Sequence, residues 1–197
     1  MNIEIDILLA WGGIKKKYSK SAFIFEQDEL AKNYFQIVEG KVKMVSLNES
    51  GKELTQGIFT DGHSFGEPPL FINEKYPSTA IAVKDSIVIR LSRDFFFEML
   101  NNYPMIQMRV MEILATRAYN KACSARDIVN VKPEIRIKNF LENYKKQNIK
   151  NQEKIFIPYT RQEIADCVGL RVETVIRTLK QMQKEQKLEI TKHKIYY

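Results

Sequence analysis

The chain has little of what builds redox, metal or membrane chemistry: two cysteines, two histidines and no long apolar run in 197 residues. Cys123 and Cys167 both lie in helical patterns and neither has a Cys-x-x-Cys partner. That excludes a disulfide framework and points to reduced, partly buried thiols in a cytoplasmic protein. An iron–sulfur cluster needs about four thiolates, so none is expected. Of the histidines, only His63 falls in the first half of the chain. As a lone histidine in a turn beside Phe65-Gly66 it reads as structural rather than as a haem ligand. A metal-dependent enzyme would need clustered histidine and glutamate ligands, which the composition does not supply. No stretch approaches the length of a membrane span. The opening Met1 to Trp11 carries Glu4 and Asp6 where a secretory signal would carry basic residues. Without a coherent set of nucleophile, acid and base, no catalytic function, cofactor or metal is expected.

What is present is positive charge, unevenly placed. The net charge is +7. Residues 1 to 129 hold 16 Lys+Arg against 16 Asp+Glu, whereas residues 130 to 197 hold 15 against 8, so the whole excess falls in the last third. Such a segment has the electrostatic footprint of a phosphate-backbone partner, although a solvated lysine-rich face would give the same count.

A motif inside that basic third decides between them. Thr160 and Glu163 have capping-box spacing at the start of a helix whose apolar face is Ile164, Ala165 and Val168. Ala165 is small enough for a second helix to cross closely, and Gly169 can take the left-handed conformation that ends the first. Leu170, Val175 and Leu179 then form the apolar seam of a second helix, expected from Arg171 to Lys187. Arg171, Val172, Glu173, Ile176 and Arg177 fall on its outward face near the N-terminus. A helix-turn-helix places that end in the major groove of DNA.

The first half reads as sheet. Tyr34 to Gly40, Lys41 to Leu47, Glu53 to Ile58 and Ser86 to Leu91 are short runs rich in β-branched and aromatic residues, separated by turn signals at Gly40, Asn48 to Gly51 and Asp61-Gly62. An antiparallel barrel or jelly roll follows from many such strands. From Asp94 the period becomes helical. After Pro104, Met108, Met111, Ala115, Ala118, Ala122, Ala125 and Val129 recur at spacings of three and four, a heptad stripe that predicts a left-handed helix pair. Ile106, Val110, Ile113 and Leu114 make a second apolar face, expected against the barrel. Which stripe meets a partner chain is left open. Asn130-Val131-Lys132-Pro133 reads as a hinge, Lys145 to Lys154 as a polar loop, and Ile155 to Ile157 as a short strand. Leu188 to Ile190 and Lys194 to Tyr197 read as a terminal hairpin, completing a winged helix-turn-helix.

With barrel, long helix, hinge and winged helix in this order, the chain resembles the family of the cyclic-AMP receptor protein and the fumarate and nitrate reduction regulator over nearly its whole length. The likeness is strongest in Tyr159 to Leu179 and rests in the barrel on Val38 to Lys43, Phe65-Gly66-Glu67 and Leu70-Phe71. The resemblance implies an α+β protein. Its parts would be an antiparallel jelly-roll barrel of the cyclic-nucleotide-binding type at 1–103, a dimerisation helix at 104–129 and a winged helix-turn-helix at 130–197. It implies a cytoplasmic homodimer that reads an inverted repeat in double-stranded DNA, with RNA polymerase a further partner if the protein activates. Glu173 and Arg177 match the positions that read the half-site core, cytosine and guanine respectively. Val172 stands where the cyclic-AMP receptors have arginine, and Ile176 could touch a thymine methyl group. Thr160, Arg161, Gln162, Arg171 and Thr174 match positions that hold phosphates. An effector pocket would involve Gly66, Glu67, Ser78, Thr79 and Lys121. There the pattern breaks: Pro77 and Ser78 align with the arginine and hydroxyl residue that bind the cyclic phosphate, and Lys121 and Ala122 lack the hydroxyl pair that meets adenine. Glu67, a formal candidate for a general base, matches the family's structural glutamate. Cyclic AMP is therefore not expected to bind. The alternative reading keeps the barrel as sensor of an unidentified ligand that is not a cyclic nucleotide.

Overall fold

The computed structural model describes residues 3–47, 53–130, 132–148 and 154–197. The chain divides into two compact units, Met1–Thr116 and Arg117–Tyr197.

The first unit opens with helix α1 (Ile5–Ala10) and strands β1 (Ile14–Tyr18), β2 (Phe23–Phe25), β3 (Asn33–Glu39) and β4 (Lys41–Leu47). There follow β5 (Glu53–Thr60), β6 (Ser64–Phe65), helix α2 (Glu67–Ile72), β7 (Thr79–Ala82), β8 (Ser86–Ser92) and helix α3 (Arg93–Asn102). Two four-stranded antiparallel sheets result, in the orders β1-β8-β3-β6 and β2-β7-β4-β5. The four strands expected from sequence are present as β3, β4, β5 and β8. The turn at Gly40 joins β3 to β4 with φ 131°, and a Cβ there would sit 2.1 Å from the Ser86 hydroxyl, so a side chain is excluded. The expected turn at Asn48 to Gly51 falls outside the described residues.

Alternation assigns the faces of the first sheet. On one, Tyr34 stacks on Phe96 of α3 at 4.3 Å between ring centroids, and the buried Gln36 amide exchanges hydrogen bonds with the Ile3 backbone at 3.0 and 2.8 Å. On the other, Phe35 and its ladder partner Phe65 turn inward and, with Phe25 and Phe59 of the second sheet and Tyr76, fill the barrel. Phe25 lies 3.7 Å from Tyr76, 5.4 Å from Phe35 and 6.0 Å from Phe65, centroid to centroid. Each such pair contributes about 0.5 to 1.5 kcal/mol beyond the area it buries.

Helix α4 (Pro104–Asn130) carries both stripes. Val110 is buried and Ile106 and Leu114 pack with it onto the core of the first unit, while Ile113 is half-buried. Met108, Met111, Ala115, Ala118, Ala122 and Ala125 are exposed; the Val129 side chain lies outside the described residues. Within one chain, the heptad stripe therefore has nothing packed on it at these positions.

The second unit contains α5 (Pro133–Asn148), β9 (Phe156–Ile157), α6 (Arg161–Val168), α7 (Val172–Lys184), β10 (Glu189–Thr191) and β11 (Lys194–Tyr196). Pro133 starts α5, where its missing amide hydrogen costs nothing. Of the expected hinge, Val131 lies outside the described residues. The segment 145–148, read from sequence as loop, belongs to α5: lysine and glutamine are good helix formers, and Lys145 and Lys146 sit favourably in the last turn. Residues 149–153 of that expected loop lie outside the described residues. Ile137, Leu141, Ile164, Ala165, Val175, Leu179, Met182 and Ile195 are all at most 1% exposed and form the core of this unit.

Candidate nucleic-acid interface

Helix α6 is defined at both ends by its own residues. The Thr160 hydroxyl accepts from the Glu163 amide at 3.1 Å and the Glu163 carboxylate accepts from the Thr160 amide at 2.6 Å, a complete capping box. At the other end Gly169 takes φ 62° and ψ 44°, and the Leu170 amide donates to the Ala165 carbonyl at 2.9 Å. The turn is held from outside as well. Arg136 of α5 donates to the Val168 carbonyl and, at 3.0 Å, to the Gly169 carbonyl, so one guanidinium meets oxygens that a helix end leaves without intrahelical donors. This clamp spans more than thirty residues in sequence and has no local signature.

Helix α7 begins after Arg171, whose side chain makes no capping hydrogen bond. It ends at Lys184 rather than Lys187, because Gln186 turns left-handed at φ 57° and the Lys187 amide closes onto the Met182 carbonyl at 2.9 Å. Val175, Leu179 and Met182 anchor it in the core. Of the residues expected on its outward face, Arg171, Glu173, Ile176 and Arg177 are exposed. Glu173 and Arg177 share a face one turn apart. Val172 departs from expectation: it is half-buried and packs on the core with Leu170, because the first turn of α7 leans against α6. Thr174 is also half-buried.

The phosphate candidates divide similarly. Thr160 is exposed at the N-terminus of α6, and the exposed Gln162 amide donates to Asp166 at 2.8 Å. Arg161 is half-buried and donates to the His193 carbonyl, in the turn between β10 and β11. Lys192 and His193 there both have positive φ, 48° and 64°, as a two-residue hairpin turn requires. Burial lowers the Arg161 pKa from its usual value, yet leaves it a cation at neutral pH. Arg161 thus ties the wing to α6, a contact the linear sequence does not announce. Cys167, on the same helix, has its thiol pushed up to about 12 by burial, with the charges of Asp166 and Glu163 adding to the effect.

In the first unit, Gly66 and Glu67 begin α2 and Glu67 is 2% exposed. Ser78 is buried and its hydroxyl has no hydrogen-bond partner among the described residues. The Thr79 hydroxyl accepts from the Gln27 amide at 3.0 Å. Pro77 is exposed and its carbonyl accepts from the Ser46 hydroxyl at 3.0 Å. Lys121 is exposed on α4, in the second unit. The His63 ring nitrogen Nδ1 lies 3.1 Å from the Thr60 carbonyl, within its own turn. Among the described residues no cluster of three potential metal ligands occurs, and no helix is long and apolar enough to cross a membrane.

A jelly-roll unit followed by a winged helix-turn-helix whose second helix keeps an exposed face defines a class: regulators that bind DNA. Residues 15–103 match the cyclic nucleotide-binding domain and residues 135–196 the Crp-like helix-turn-helix domain. The chain belongs to the CRP/FNR family of transcription regulators. It is 25% identical over 178 residues to the transcriptional activatory protein AadR of Rhodopseudomonas palustris, covering 88% of this chain and 73% of that one. It is 28% identical over 172 residues to the cAMP-activated global transcriptional regulator CRP of Pasteurella multocida, covering 86% and 82%. The fold is shared with FixK2 of Bradyrhizobium japonicum, at a TM-score of 0.78 and 20% identity over 93% of this chain and 91% of that one.

Proposed function

We propose that the protein is a cytoplasmic homodimer joined along the exposed stripe of α4, each copy laying α7 into a major groove of an inverted repeat whose half-sites lie about 34 Å apart. The observation that carries this reading is the face formed by Glu173, Ile176 and Arg177: exposed, on a helix anchored by three buried residues, with neither charge ion-paired among the described residues. Arg177 is assigned to guanine O6 and N7 and Glu173 to a cytosine amino group, each pairing discriminating bases by about 1 to 3 kcal/mol. Ile176 supplies apolar contact to a thymine methyl. Thr160, Gln162 and Arg171 contact phosphates, with Thr174 and Val172 supporting the same turn. RNA polymerase is a further partner if the protein activates.

Cyclic AMP is not its effector on this reading. Pro77 offers neither cation nor amide donor at the position where the family neutralises the cyclic phosphate. The orphaned Ser78 hydroxyl alone does not replace that charge. Selection of operators from random duplexes with ligand-free protein tests the proposal: a palindrome should be enriched without additive. Enrichment only of non-palindromic or unrelated duplexes would overturn the DNA reading. Calorimetric binding of cyclic AMP below about micromolar, some 8 kcal/mol, would overturn the effector reading.

A further inference from the structure

At one end of the barrel, between β1, β2, β3 and β8, lies an open cavity of about 380 Å³. Its floor is aromatic and buried: Tyr18, Phe25, Phe35 and Tyr76 are each at most 7% exposed. Its rim is cationic and exposed, formed by Lys16, Lys32 and Arg90, with a single carboxylate, Glu29.

The strand register explains why these groups meet. Arg90 faces Ile14 on β1 and Phe35 on β3, and Lys16 faces Val88 two residues along β8, so Lys16, Arg90 and Phe35 project from one face of the sheet. That face turns inward. The Lys16 ammonium, though exposed, lies 5.0 Å from the centre of the Tyr18 ring, over the edge of the floor. Among the described residues none of the three cations forms an ion pair, and three positive groups face one negative one across a concave, low-dielectric surface. Such a surface focuses a positive potential into the cavity. Burial raises the Tyr18 and Tyr76 phenols above their usual values, the latter to about 12, so both hydroxyls stay protonated at neutral pH. The Tyr76 hydroxyl donates to the Asn33 carbonyl at 3.4 Å.

We propose that this cavity binds a small organic anion with a flat ring: the ring lies on the Tyr18, Phe25, Phe35 and Tyr76 floor and its carboxylate or phosphate meets Lys16, Lys32 and Arg90. The volume lies near the lower limit of small-molecule sites, roughly 300 to 1,000 Å³, and suits one ring system with one charged group. A nucleic acid duplex cannot enter it. The site shares no residue with Gly66, Glu67, Ser78, Thr79 or Lys121, and it stands whether or not the assignment of DNA readers is right.

The test is titration of the full-length, isotope-labelled protein, without DNA, with phenyl phosphate, benzoate, inorganic phosphate and the neutral benzamide, followed by amide chemical shifts and calorimetry. Phenyl phosphate or benzoate should saturate one site per chain, with shifts centred on Lys16, Tyr18, Asn33 and Arg90; which of the two binds tighter identifies the anionic group. Inorganic phosphate and benzamide should each bind at least about tenfold more weakly, lacking the ring or the charge. Arg90→Gln and Lys32→Gln, both at exposed positions, should each weaken binding about tenfold, and Lys84→Gln, outside the cavity, should leave it unchanged. The proposal is overturned if neither aromatic anion gives saturable shifts by about 10 mM, if benzamide or inorganic phosphate binds equally well, if the shifts centre on Gly66 to Thr79, or if both Gln variants bind like wild type.

Discussion

Arg136→Met isolates the clamp on the helix-turn-helix. The methionine keeps the apolar stem and removes the guanidinium that meets the Val168 and Gly169 carbonyls. Hydrogen bonds from a charged donor contribute about 1.5 to 3 kcal/mol each. The bond to Gly169 is exposed, so water replaces most of it; the bond to Val168 is partly buried, and its oxygen is left short of a donor at about 1 to 3 kcal/mol. Against this, the Arg136 Nε is buried without a partner, and its removal returns part of that desolvation cost. The balance is a loss of about 2 kcal/mol, concentrated where α6 turns into α7. Amide exchange by mass spectrometry reads it locally: peptides covering Ile164 to Leu170 should lose protection about 30-fold, since each 1.4 kcal/mol is a factor of ten. Peptides from β3 and β8 should not change. A loss under about twofold at the turn, with α5 intact, would mean that the carbonyls are satisfied equally well by water and that the clamp is incidental.

Other substitutions and the buried thiol have measurable consequences. Arg177→Ala should relax base preference at one operator position by about 1 to 3 kcal/mol, measured by selection, and leave the salt slope of non-specific binding nearly unchanged. Arg161→Ala should weaken binding to all sequences and also speed exchange in the Glu189–Tyr196 hairpin, because the His193 carbonyl loses its donor. Ala118→Glu places a charge on the exposed heptad stripe of α4 and should convert a dimer to monomer in light scattering, with no change in the barrel's own exchange. The Cys167 thiol, held near 12 against an ordinary 9.0, should alkylate about a thousandfold more slowly at pH 8 than an exposed thiol. With the folded pKa raised, the stabilising contribution is complete below about pH 9 and is lost as pH climbs toward 12; Cys167→Ala should flatten that part of the urea midpoint profile.

Local chemistry made most of the second unit legible. Thr160, Glu163 and Gly169 announce the ends of α6 by residue type, and the cap, box and left-handed residue all lie where those types imply. The short runs rich in β-branched and aromatic residues, β3, β4, β5 and β8, are equally readable. What escaped was what tertiary contact decides. Strand β1 carries Lys15, Lys16 and Lys17 in succession, which gives it no apolar strand signature; it is a strand because β8 supplies a ladder partner, and it lies at the sheet edge. Strand β6 has two residues and pairs only with β3. Helical spacing alone puts Val172 on the outward face, and the lean of α7 on α6 turns it half inward.

The same limit applies to charge. Counted along the chain, the first 129 residues balance at 16 against 16, and that balance directs attention to the basic last third. Folding does not preserve it locally. Lys16, Lys32 and Arg90 come from three separate segments, and antiparallel pairing of β1 and β3 on either side of β8 gathers them around one aromatic hollow with only Glu29 to offset them. A sum over sequence is blind to this, because register, and not position in the chain, decides which charges share a face. The end proposed to read DNA is legible from residues three and four apart on one helix, whereas a ligand-sized cavity emerges only once strands distant in sequence are laid side by side.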